Sequence, residues 1–114
     1  MSSTAVAPHD PQPEPLPPLQ WYALARDLNR GDRDLRRLCL ALASYANDEG
    51  RNVRPGLARL VDETTLSRAT IKRRIDDLIT AGFLRRVHEG DGRGNASVYT
   101  LTVPPSVRAL RGRP

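Results

Sequence analysis

Four cations and four small side chains lie within ten residues in the second half of the chain. A guanidinium group can bond phosphate or the edge of guanine, and hydroxyl and methyl groups suit phosphate oxygens and the thymine methyl. Side chains of these types are suited to binding a polyanion. The alternative is that they only form the solvent-exposed face of a basic helix. The cations are Arg68, Lys72, Arg73 and Arg74, and the intervening or flanking small residues are Thr65, Ser67, Ala69 and Thr70.

Helical periodicity assigns a direction to each of these side chains. Apolar residues at positions 71, 75 and 78 mark the inward face of a helix. The opposite face of the first turns is then available to a ligand, so we expect Arg68, Ala69, Thr70 and Arg73 near base edges. We expect phosphate contacts from Thr65, Ser67, Lys72 and Arg74.

Cap residues define where this helix begins and ends. Ser67 is a preferred N-cap residue, and Gly82 suits the left-handed position after a helix. A shorter apolar pattern precedes it, with Pro55 at its predicted first turn and Leu57, Leu60 and Val61 following. Two helices joined by a tight turn have the layout of a helix-turn-helix, whose second helix fits the major groove of DNA.

Another helix is predicted over residues 34–47, capped by Asp32 or Asp34, because its apolar residues recur at helical spacing. Residues 20–28 fit a helix or a strand equally well.

Two alternating runs near the end of the chain predict a β-hairpin. They cover residues 83–88 and 97–103, and the glycine-rich segment 89–96 separates them. Arg86 at its base is a candidate for the DNA backbone. Arg93 at its tip is a candidate for the minor groove, with a solvated loop tip as the alternative.

Three helices followed by a basic hairpin resemble the winged helix-turn-helix, in particular the domains of replication and regulatory proteins from actinobacterial phages and plasmids. The resemblance covers residues 21–103 and implies an α+β fold that is mostly α: a three-helix bundle with a C-terminal hairpin, the wing (residues 85–103). The matching residues are Trp21, Ala46-Asn47-Asp48-Glu49-Gly50, Pro55, Leu66-Ser67, Thr70-Ile71, Arg73, Ile75, Leu78, Gly82-Phe83-Leu84 and Tyr99-Thr100-Leu101.

The chain departs from that family at the turn between the two helices. Val61 stands where the family has a small residue, and Thr65 stands where it has glycine. A β-branched residue is disfavoured at positive φ. We therefore expect a longer or differently bent turn.

The composition predicts one folded domain with two extensions. Six of the ten prolines lie in residues 1–18, which we interpret as a disordered arm. The folded domain is expected over residues 19–104 and a basic flexible tail over residues 105–114. The net charge of +5 favours polyanions, although ribosomal contacts or an acidic membrane surface would also satisfy it.

Several function classes are disfavoured by what the sequence contains. With one cysteine and two histidines, no metal site is expected, and no enzyme motif or cofactor-binding loop is evident. No apolar run is long enough to span a membrane, so we expect a cytoplasmic, nucleoid-associated protein. No small-molecule ligand is indicated.

The leading hypothesis is a sequence-specific double-stranded DNA-binding protein that regulates transcription. Its helix 67–81 would enter the major groove and the wing would contact the backbone or minor groove. One alternative is a replication or transfer factor of a plasmid or phage that binds origin DNA. Another is a winged helix that binds proteins. Because operators are often palindromic, a homodimer on two half-sites is a further hypothesis.

Overall fold

The computed structural model describes residues 14–29, 31–90 and 96–107. Within these ranges the chain forms helices packed against a small antiparallel sheet. The elements in chain order are β1 (Glu14–Pro15), α1 (Pro18–Leu28), α2 (Arg33–Tyr45), α3 (Leu57–Thr64), α4 (Arg68–Ala81), β2 (Leu84–His88) and β3 (Val98–Val103).

Helix α2 supplies the centre of the core. The Asp32 side chain caps it by accepting a hydrogen bond of 2.9 Å from the Leu35 backbone N–H. The predicted helix over residues 34–47 is confirmed, with its end at Tyr45. Its apolar stripe is buried and consists of Leu35, Leu38, Cys39 and Leu42.

Helix α4 begins and ends where its caps predict. The Ser67 hydroxyl accepts a 3.1 Å hydrogen bond from the Thr70 N–H, and Gly82 has a φ of 87°. The predicted inward residues Ile71, Ile75 and Leu78 are buried, which leaves the opposite face of α4 to solvent.

The predicted hairpin is confirmed. Strands β2 and β3 pair antiparallel with Leu84 opposite Leu101. Residues 91–95 at its tip, which include the candidate Arg93, lie outside the described residues.

A third strand differs from the predicted arm over residues 14–18. Strand β1 pairs with β3, Glu14 opposite Val103, and places β3 in the middle of the sheet. Leu16 is buried, and its N–H donates to the Leu101 carbonyl at 3.1 Å. Pro15 is tolerated because an edge strand does not need every N–H. Residues 1–13 of the predicted arm, and 108–114 of the predicted tail, lie outside the described residues.

The sequence left one local assignment open and predicted another wrongly. Residues 20–28 are helical, as part of α1, and the Trp21 indole N–H donates to the Phe83 carbonyl at 2.8 Å. Pro55 does not start a helix: α3 begins at Leu57 because Gly56 has a φ of 80°, outside the helical region.

The architecture is the predicted α+β winged helix-turn-helix, with α2, α3 and α4 as the bundle and β2 and β3 as the wing. Strand β1 is an addition to the predicted plan, whereas α1 is the segment whose type the sequence left open between helix and strand. None of the helices in the described ranges is long and apolar enough to cross a membrane.

Candidate nucleic-acid interface

The turn between α3 and α4 has three residues, Thr65 to Ser67. Thr65 itself adopts the left-handed conformation, with φ 60° and ψ 16°. The expectation of a longer or differently bent turn is therefore wrong: threonine occupies the conformation that glycine usually takes.

Hydrogen bonds from neighbouring residues hold this unfavourable conformation. The Thr65 N–H donates to the Val61 carbonyl at 2.9 Å. The Arg37 Nη1 atom lies 3.2 Å from Thr65 Oγ1 and 3.4 Å from the Thr64 carbonyl oxygen. A left-handed non-glycine residue costs about 1–3 kcal/mol and persists only when its surroundings fix it. Arg37 is part of those surroundings.

The outer face of the first two turns of α4 is exposed. Thr70 is half-buried, and its Oγ1 accepts a 2.9 Å hydrogen bond from the Ser67 hydroxyl. Ser67 therefore both caps the helix and orients Thr70. The exposed residues of these turns are Arg68, Ala69, Lys72 and Arg73.

Arg74 is paired within the protein, and the phosphate contact expected of it stays a prediction. Its guanidinium lies 3.1 Å from an Asp32 carboxylate oxygen and 3.5 Å from one of Asp77. Its side chain is 27% exposed, and it ties α4 to the start of α2. At 100° per residue, Arg74 falls on the flank of the helix that faces α2, whereas Arg73 falls on the solvent face.

An open cleft of about 810 Å³ separates α4 from the wing. Its floor includes Ile75 and Tyr99, and cations stand around its mouth. The cationic side chains that line it are Arg59, Arg68, Lys72 and Arg86, and the acidic ones are Asp76 and Glu89. The balance is positive, so the electrostatics of the cleft favour an anionic ligand.

Arg86 bridges the cleft from the wing to helix α4. Its guanidinium lies 3.9 Å from an Asp76 carboxylate oxygen and 5.5 Å from the centre of the Tyr99 ring. A hydrogen bond with Tyr99 is the largest cause of the raised pKa of Arg86. Arg86 is thus placed where a backbone could reach it, but it is already engaged.

Two cations at the interface were not among the sequence candidates. Arg59 lies in the first turn of α3 and lines the cleft, and Arg37 of α2 contacts the turn. Both arginines are exposed because neither lies in the buried apolar stripe of its helix. Their nearness to α4 depends on how the helices cross, which no local pattern encodes.

Helix packing, turn and wing together define a winged helix-turn-helix with a basic outer face on its second motif helix. Residues 34–84 match the model of a helix-turn-helix domain family. The match runs from α2 through α4 to the first residue of β2, so this part of the chain is a helix-turn-helix domain. Searches of curated proteins and of solved structures find no match. A domain of this class suggests DNA binding.

Proposed function

We propose that this protein is a sequence-specific double-stranded DNA-binding protein that acts as a transcriptional regulator. The first two turns of α4 lie in the major groove, and the wing lies against the flanking backbone. The observation that carries the proposal is the exposed face of α4, where Arg68, Lys72 and Arg73 have no carboxylate within salt-bridge distance among the described residues.

Each exposed residue has a distinct role in this complex. Arg73 reads a guanine through its O6 and N7 atoms, and Ala69 or Thr70 meets a thymine methyl. Lys72 lines the cleft and binds a phosphate of the strand that passes between α4 and the wing. Arg68 lines the same cleft, so we assign it a phosphate contact in place of the base contact expected from the sequence.

The acidic residues limit how deep the helix enters the groove. Asp76 and Asp77 lie in the third turn of α4, are exposed, and would repel phosphates. Pairing with Arg86 and Arg74, respectively, reduces that repulsion without removing it. The base contacts therefore come from the N-terminal half of α4.

A protein-binding role for the same face has less support. Interfaces between proteins have an apolar, charge-depleted centre, whereas the exposed positions of α4 carry charges on both sides of Ala69. A binding role without catalysis is part of the proposal.

The test is a titration of fluorescently labelled random and genomic-fragment duplexes, followed by anisotropy at two salt concentrations and sequencing of the bound fraction. Salt-dependent binding that enriches particular fragments supports the proposal. Absence of binding at low salt, or equal binding to every fragment, refutes sequence-specific recognition.

A further inference from the structure

Arg37 combines an unneutralised charge with a position beside the start of α4. Its side chain is exposed, and its hydrogen bonds go from Nη1 to Thr65 Oγ1 and to the Thr64 carbonyl. Within the described residues it has no carboxylate within 4.0 Å, unlike Arg74 and Arg86.

Nearby acidic groups do not neutralise it. Glu63 is the residue before Thr64, and its carboxylate accepts a hydrogen bond from the Tyr45 hydroxyl. Asp32, at the start of the same helix, is bonded to the Leu35 N–H and to Arg74. No carboxylate of the described residues, including that of Asp34 one turn earlier, lies within salt-bridge distance of Arg37, so its guanidinium can pair with an external anion.

The guanidinium also keeps donors for such an anion. It carries five N–H donors in a planar fork, and a phosphate can accept two of them side by side. Only Nη1 donates to the described protein atoms. Because Thr65 lies two residues before the Ser67 cap, the remaining donors lie next to the end of α4 that enters the groove.

A second cation on α2 extends the same surface. Arg33 lies four residues before Arg37, one helical turn away, and is also exposed. A backbone that flanks the groove occupied by α4 would therefore meet positive charge on α2 as well as on α4.

We infer that Arg37 binds a backbone phosphate of the DNA, so that the interface extends from the helix-turn-helix motif onto α2 while Arg37 still holds the turn. The inference rests on the proposed function. It adds a contact that is independent of sequence to the base contacts of α4.

The experiment measures log K against log salt concentration for the wild type, Arg37→Ala and Arg26→Ala on a selected duplex and a scrambled duplex. Losing one phosphate contact lowers the magnitude of the slope by about 0.9, which corresponds to about an eightfold weaker affinity at 0.1 M salt. We expect that change for Arg37→Ala on both duplexes. Arg26 is the matched control because it is exposed, carries the same charge and lies on α1, paired with Asp27.

A second pair of variants separates a phosphate contact from a role confined to the turn. Thr65→Gly removes the need to hold a left-handed threonine. If Arg37 acted only through the turn, Arg37→Ala in the Thr65→Gly background would bind like Thr65→Gly alone. We expect Arg37→Ala to reduce the slope in the Thr65→Gly background as well. If Arg37→Ala alone does not fold, the comparison is made in the Thr65→Gly background instead.

The outcomes distinguish the two proposals. An unchanged slope for Arg37→Ala, or a slope change equal to that of Arg26→Ala, overturns the Arg37 contact while DNA binding by the wild type stands. Absence of salt-dependent binding by the wild type overturns the proposed function itself.

Discussion

Substitution of Gly50 tests how firmly the N-terminal strand is built into the domain. Gly50 follows α2 and has a φ of 84°, and a Cβ placed there would lie 2.1 Å from the Leu16 carbonyl oxygen. The Gly50 carbonyl accepts a 2.7 Å hydrogen bond from the Leu101 N–H. The Cβ of an alanine at position 50 would push the backbone of Leu16 away from residue 50. Both segments are hydrogen-bonded to Leu101 of β3, so their packing against that strand would be disrupted.

The magnitude follows from two contributions. The left-handed conformation costs a residue with a Cβ about 1–2 kcal/mol. Displacing Leu16, which is 3% exposed, from the core costs about 1.5–3 kcal/mol more. We expect Gly50→Ala to lower the free energy of unfolding by about 2.5–5 kcal/mol.

Gly56→Ala is the matched control. Gly56 has nearly the same φ, 80°, but a Cβ there would meet only the Ala96 Cβ at 3.9 Å. Its ψ of 151° places it in a region that is essentially restricted to glycine, so Gly56→Ala should lose about 1–3 kcal/mol from backbone strain alone. The effect of alanine on the unfolded chain is common to both variants and cancels in the comparison.

The assay is denaturant unfolding followed by the fluorescence of Trp21, the single tryptophan, which is fully buried. A domain of this size loses about 4–8 °C in Tm for each kcal/mol, so thermal unfolding gives an independent reading. Equal losses in the two variants, or a neutral Gly50→Ala, would refute the close packing of residue 16 on residue 50.

Three further predictions concern the core and the helix junctions. Arg74→Ala should lower the free energy of unfolding by about 1 kcal/mol, because it breaks a partly buried pair with Asp32; denaturant unfolding measures it. Trp21→Phe should cost about 1–3 kcal/mol, because it removes a buried donor to the Phe83 carbonyl. Burial, and secondarily the charge of Asp32, raises the pKa of Cys39 to about 12, so the native thiol should resist iodoacetamide at pH 8 and react on unfolding.

Each of these has a result that would contradict it. A stability unchanged in Arg74→Ala would mean that the pair with Asp32 contributes nothing. A neutral Trp21→Phe would mean that water replaces the indole donor. The raised pKa of Cys39 in the native state favours the protonated thiol. The contribution of this thiol to the free energy of unfolding should therefore be constant below its pKa in the unfolded chain and fall as the pH rises above that value. Alkylation of the native protein at the rate of a free thiol would contradict its burial.

Local signals predict the elements that carry the proposed function. Helix α4 has a serine cap, a glycine stop and an apolar stripe, and these agree with one another, so its bounds follow from sequence alone. The hairpin follows from its alternation and its glycines. Both elements are consistent at every level from residue preference to packing.

The features that escaped prediction depend on contacts distant in sequence. Residues 14–16 read as an extended proline-rich arm, and only the edge of β3 and the absent side chain of Gly50 let them pack there, with Glu14–Pro15 as a strand. Thr65 argues locally against a tight turn, and Arg37, 28 residues earlier, helps to hold it. Arg74 reads as a cation like Arg73, and the packing of α2 on α4 gives it a structural partner.

The central claim is that α4 reads DNA through Arg73, and adjacent arginines allow a direct test. Affinities of the wild type, Arg73→Ala and Arg74→Ala would be measured on the selected site and on its single-base-pair variants. Arg73→Ala should lose about 1–3 kcal/mol on the site and become indifferent to one base pair, while Arg74→Ala retains the wild-type preference. Equal losses in both variants, or an Arg73→Ala loss that is the same on every sequence, would contradict base reading by this face of α4.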